Sequence, residues 1–161
     1  MQNSRRAGDR SHKLLLRAVC ETIFGLLLAL PAVGASNCEL PFHVPQGVLD
    51  QQLVILGEMH GTRETAEFTA EYSCTVAQGT VEVILALEIP EVEQQSISAY
   101  LGSLGSPVDA GALLKGDFWN RPDSIQDGRS SQAIFQLIER VRQLRGVGKR
   151  ISVVAIDGQR T

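Results

Sequence analysis

Three apolar runs in this chain each end on an acidic residue: Leu53 to Gly57 leads into Glu58-Met59-His60, Val81 to Leu87 leads into Glu88, and Ile151 to Ile156 leads into Asp157. Two carboxylates and an imidazole suit two kinds of chemistry. They can hold a divalent cation with open positions for water, which makes Glu58, His60, Glu88 and Asp157 candidate metal ligands. They can also work without a metal, one group acting as general base while another orients it, which makes Glu58, His60 and Glu88 candidate catalytic residues. Spacing leaves both open. Glu58 and His60 are separated by one residue, so in an extended chain their side chains point to the same side. A plainer reading stands beside each residue: Glu58 and Glu88 as negative charge favoured at the N-termini of the following helices, and His60 as a loop histidine bonded to backbone.

Such residues meet only if the elements that carry them bring the ends of the apolar runs together. The chain of 161 residues is 43% hydrophobic and 20% charged, the balance of an ordinary globular domain with one core. Aromatic residues are only 5% of the chain, too few for a base-stacking surface, and a net charge of −3 disfavours a phosphate backbone, so no nucleic-acid partner is expected.

The apolar run from Leu53 to Gly57 reads as a first strand, of the continuous kind found in sheets covered on both faces. A helix follows from Thr62 to Gln78, with Thr62 as N-cap, Glu64 in the first turn and an apolar stripe of Phe68, Tyr72 and Val76. Val81 to Leu87 is the second strand, and Pro90 opens a helix that places Ile97, Tyr100, Leu101 and Leu104 on one face. Ser106-Pro107 starts a short helix, and Lys115 to Gly128 is a long loop, the kind that often carries function, in which Trp119 either covers a site or plugs a core edge. An amphipathic helix from Ser130 buries Ala133, Ile134, Leu137, Ile138, Val141 and Leu144, and Ile151 to Ile156 is the third strand. Alternating strands and helices imply an α/β fold with a parallel sheet of three strands, whose ligands bind beyond the carboxyl ends.

The first 35 residues differ from the rest. Arg5, Arg6, Arg10, Lys13 and Arg17 precede an apolar stretch, a Pro31 break and the small residues Val33-Gly34-Ala35, the pattern of a secretory signal peptide cleaved after Ala35. The uninterrupted apolar run from Ile23 to Leu30 falls short of the ~20 residues that a spanning helix needs, so no stable membrane span is expected after cleavage. The expected organisation is a signal peptide over 1–35, a lead-in over 36–50 and the α/β domain over 51–161. Cleavage removes Cys20 and leaves Cys38 and Cys74, which an oxidising envelope compartment would join as a disulfide.

Taken in order, "LGEMHGTRETAEF", "ALEIPEVEQ", "FWNRPDSIQDGRSSQAIFQLIERVRQLR" and "VVAID" resemble the erythromycin-esterase, ChaN and Tiki superfamily over about residues 51–157. Its members include bacterial esterases, haem-binding uptake lipoproteins and membrane-associated metalloproteases. Gly57-Glu58-Met59-His60 looks like that group's first G-x-x-H motif, and Glu88 matches its acid after the second strand. Asp127, Arg129 and Ser130 match a block of close relatives, and Arg63, Asp127 and Arg129 are candidates for holding substrate at the rim. Relatives continue beyond the third strand, so the domain is expected to be truncated at its carboxyl end. The resemblance implies a secreted or periplasmic hydrolase, metal-assisted or not, acting on an ester or peptide bond of a small-molecule or peptide substrate. Two alternatives are a ChaN-like iron or haem binder, with Tyr72 or Tyr100 as axial ligand, and a noncatalytic remnant.

Overall fold

Two stretches of alternating buried and exposed residues form the sheet. The computed structural model describes residues 37–158; the expected leader and its cleavage site lie outside them. β1 (Val83–Pro90) and β2 (Ile151–Asp157) pair in parallel, with Val83 opposite Ile151 and Leu87 opposite Ala155. The register then shifts, Pro90 falling opposite Asp157, so β1 spends one residue more than β2 over Glu88 and Ile89. That irregularity is a bulge, a device that re-aims side chains.

Five α-helices accompany the pair among the described residues: α1 (Gln46–Leu49), α2 (Arg63–Val76), α3 (Gln94–Leu101), α4 (Pro107–Leu113) and α5 (Gln132–Gly146). Their starts follow local chemistry. Ser106 and Asp109 cap α4 reciprocally with Pro107 in its first turn, and the Ser131 hydroxyl accepts from the Ile134 amide to open α5. The core lies between the helices and one face of the sheet: Leu87, Ile89, Ile151, Val153 and Ala155 from the strands meet Ile97 and Leu101 of α3, Leu113 of α4 and Ile138, Val141 and Leu144 of α5.

The expectation of three strands is incorrect, because among the described residues Leu53 to Gly57 pairs with nothing and the sheet has two strands. Leu53 and Ile55 are 77% and 85% exposed. A cleft of about 770 Å³ separates Val54 and Leu56 on this segment from Val83, Ile84 and Leu85 of β1, so the ladder hydrogen bonds that define a strand do not form. Among the described residues the sheet is correspondingly covered on one face only. Ile84, Val154 and Ile156 point away from the helices and are exposed.

Two helical faces also differ from expectation. The buried face of α2 is Ala66, Thr69, Ala70, Tyr72, Ser73 and Cys74, mostly small side chains that let α5 approach; Tyr72 is inward as expected, its hydroxyl donating to the Val48 carbonyl, whereas Val76 is half-buried and Phe68 half-buried against Phe42. α3 ends at Leu101, leaving Leu104 beyond it and 94% exposed. The outer edge of β2 has an unusual partner: the Gln94 side-chain amide donates to the Val153 carbonyl at 3.1 Å and accepts from the Ala155 amide at 2.7 Å. One side chain thus supplies the pairing that a further strand would make there.

Candidate functional site

A turn places His60. The Thr62 amide and hydroxyl both donate to the Met59 carbonyl, at 3.1 and 2.8 Å, and Gly61 between them has φ +84°. Positive φ at the third position of the turn is what a type II geometry requires and glycine supplies freely. His60 is therefore held at a corner, with both ring nitrogens turned toward carboxylates. Nδ1 lies 3.0 Å from Glu58 Oε1, and Nε2 lies 3.5 Å from Glu88 Oε2. A carboxylate on Nδ1 at 3.0 Å is matched by the tautomer that carries its proton there, since a carboxylate accepts. With His60 neutral, Nε2 then presents a lone pair toward Glu88 across a gap too long for a direct bond. A water beside the pair has the two hydrogens this arrangement accepts, one for Nε2 and one for Glu88. Neither acid caps a helix through its side chain: the α2 N-cap is Thr62, with no side-chain cap bond, and Glu88 lies within β1 at its bulge.

A second polar group borders the first. Arg129 donates from Nη1 to Asp157 Oδ2 at 2.8 Å and from Nε to Asp127 Oδ2 at 2.8 Å, and Arg121 adds a contact to Asp127 at 3.3 Å. The Arg129 guanidinium holds the Asp127 carboxyl down at about 2, and Asp127 and Asp157 in turn raise Arg129. Asp127 and Arg129 were expected to hold substrate; in the structure they hold each other and the end of β2. The loop between them touches the histidine turn directly. A Cβ on Gly128 would lie 2.6 Å from both the Gly61 nitrogen and the His60 carbonyl carbon, so backbone packs on backbone with no room for a side chain.

The remaining candidates are elsewhere. Arg63 pairs with Glu67 one turn along α2, at 3.1 Å, and lines an apolar cavity between α2 and α5 rather than the Glu58–His60–Glu88 group. Cys38 and Cys74 are joined as a disulfide that pins the lead-in to α2. Trp119 packs on the core edge, its ring 5.0 Å from that of Phe118. Among the described residues no group of three or more His, Cys, Asp and Glu converges as a metal-holding set, and Asp157 is taken up by Arg129 instead of joining Glu58, His60 and Glu88. Donors for haem fit no better. The Tyr72 hydroxyl is bonded to Val48, and the Tyr100 hydroxyl donates to Glu139 at 2.6 Å, with burial and that bond pushing it up to about 12, far from an iron-binding phenolate.

Sequence reasoning missed Gly61, Gly128 and Gln94. Gly128 carries a local signal, an Asp-Gly pair that marks a turn, while Gly61 and Gln94 carry none of that kind. No helix among the described residues is long and apolar enough to cross a membrane. No family model, curated protein or solved structure matches the chain.

Proposed function

We propose that this protein is a hydrolase of an ester or peptide bond, of the erythromycin-esterase and ChaN type by its motif blocks, in which His60 activates water. The observation that carries the proposal is the line Glu58–His60–Glu88, one carboxylate on each ring nitrogen, at the carboxyl end of the parallel pair. Glu58 fixes the tautomer and orientation of the imidazole. Water held beside Nε2 and Glu88 attacks the carbonyl carbon, its proton passes to Nε2, and the imidazole returns that proton to the leaving alcohol or amine. Every step uses residues of this chain. Neither a metal nor haem is assigned a step, because the donor arrangement fits neither. The leader pattern and the Cys38–Cys74 disulfide support action in an oxidising envelope compartment.

The test is turnover by the full chain of a panel of p-nitrophenyl esters and fluorogenic peptides. The proposal expects turnover of at least one class, its loss in His60→Ala and a decrease of about 10²- to 10⁴-fold in Glu58→Gln. A parent inactive on every substrate, or His60→Ala as active as the parent, contradicts it.

A further inference from the structure

The loop that carries Asp127, Gly128 and Arg129 touches the site through backbone alone, which raises the question of what it does there. Three observations converge on it. Gly61 and Gly128 both have positive φ, +84° and +88°, the region that favours glycine. The two are packed face to face: a Cβ on Gly61 would meet the Gly128 Cα at 3.4 Å, and a Cβ on Gly128 would meet the Gly61 nitrogen at 2.6 Å and the His60 carbonyl oxygen at 2.8 Å. Arg129 anchors the same loop to the last residue of β2 through Asp157, while the Asp127 carboxylate folds back on the Arg129 amide at 3.0 Å and on its side chain.

The first strand expected for this region does not form, so no sheet ladder holds the segment that leads to His60. Leu53, Ile55 and Met59 on that segment are all exposed, and apolar packing does not hold it either. Among the described residues the loop does pack on the His60 corner, backbone against backbone. We propose that Asp127–Gly128–Arg129 is the positioning element for His60: Arg129 bolts the loop to the end of β2, and Gly128 backs the His60–Gly61 peptide so that the imidazole stays between Glu58 and Glu88. This rests on the reading of His60 as the working base, and it assigns Asp127 and Arg129 to holding the site rather than the substrate. Gly128 is a positioning residue, since the contacts it makes here are with the His60–Gly61 backbone and not with the imidazole.

Gly128→Ala places a methyl group into backbone that cannot yield as a flexible side chain does, so the corner or the loop must shift. Misplacement of a catalytic group by about 1 Å costs on the order of 10²-fold in rate. Arg129→Met releases the loop without adding a clash, and it decides the matter if Gly128→Ala does not fold. Gly111→Ala is the control, because nothing lies within 4 Å of a Cβ there. The readout is the set of His60 imidazole ring signals in nuclear magnetic resonance spectra of the full chain, with thermal melts alongside. The expected result is displaced or broadened His60 ring signals in Gly128→Ala and Arg129→Met, unmoved signals in Gly111→Ala, and melts that remain cooperative in all. His60 ring signals at the parent positions in either folded loop variant overturn the proposal. Ring signals that move as expected while the parent turns over no ester or peptide leave the positioning role standing and refute the hydrolase.

Discussion

Replacing Glu139 by Gln removes one charge from the network that ties α5 to α3 while keeping its size. The carboxylate accepts from Tyr100 at 2.6 Å, from Arg142 Nε and Nη2 at 2.7 Å each, and from Gln143 at 2.9 Å. The Arg142 bonds, above all, lower its pKa from 4.5 to about 2. At about 1.36 kcal/mol per unit that shift sets a ceiling of about 3 kcal/mol on its contribution. A quarter of the side chain, 25%, remains in solvent, and screening there reduces the expected loss to about 1–2 kcal/mol. For a domain of this size the melting temperature of Glu139→Gln should fall by about 3–10 °C at pH 7. The sign follows from linkage: a lowered folded pKa gives stability that is present above the unfolded value of 4.5 and lost as pH falls through about 2. The gap between parent and variant in circular-dichroism melts should therefore be full at pH 7, narrow below 4.5 and close near 2. The other carboxylates titrate in both proteins and cancel in the difference. A gap under about 1 °C at pH 7, or one that persists unchanged to pH 3, would refute the assignment of this network as a tie between helices.

Two further outcomes follow from the edge and from the bridge. Gln94→Ala strips the Ala155 amide and Val153 carbonyl of their partner, at a cost of about 1–3 kcal/mol, and hydrogen exchange at the Ala155 amide should accelerate at least about tenfold; parent-like exchange there contradicts the edge-covering role. Reduction of Cys38–Cys74, whose partners are 36 residues apart, should cost about 3–4 kcal/mol on the chain-entropy account and lower the urea midpoint by about 1–3 M, whereas superimposed unfolding curves with and without reductant contradict it.

What was legible in the sequence was what local chemistry decides. The stripe from Ala133 to Leu144 repeats at helical period, and Ser106-Pro107 carries its own capping box, so both helices could be read from spacing alone. Leu53 to Gly57 shows the limit. Its apolar run resembles those of β1 and β2, but a strand exists only where another backbone pairs with it, and here a cleft intervenes. Phe68 and Val76 failed for a related reason. The close neighbour on α2 is another helix, and the small side chains of Ala66, Ala70 and Ser73 admit it better than a large stripe does. Within the site, Glu58, His60 and Glu88 do come together, but not as neighbouring strand ends: only Glu88 is on a strand, while Glu58 and His60 lie on an unpaired segment and its turn. The separation of Arg129, paired with Asp127 and Asp157, from Arg63, paired with Glu67 along α2, was not legible, since it depends on where a long loop returns. Gly128 left no pattern beyond a turn signal, because its role lies in a contact with a residue far away in the chain.

The arrangement of Glu58, His60 and Glu88 as one working unit is tested most directly by the tautomer of His60, read from long-range ¹H–¹⁵N correlations of its ring at a pH where it is neutral. The parent should carry its proton on Nδ1, bonded to Glu58, with Nε2 free to accept, and Glu58→Gln should disturb that preference. A proton on Nε2 in the parent, or a tautomer indifferent to Glu58→Gln, would mean that Glu58 does not orient the imidazole and would contradict the account of the site.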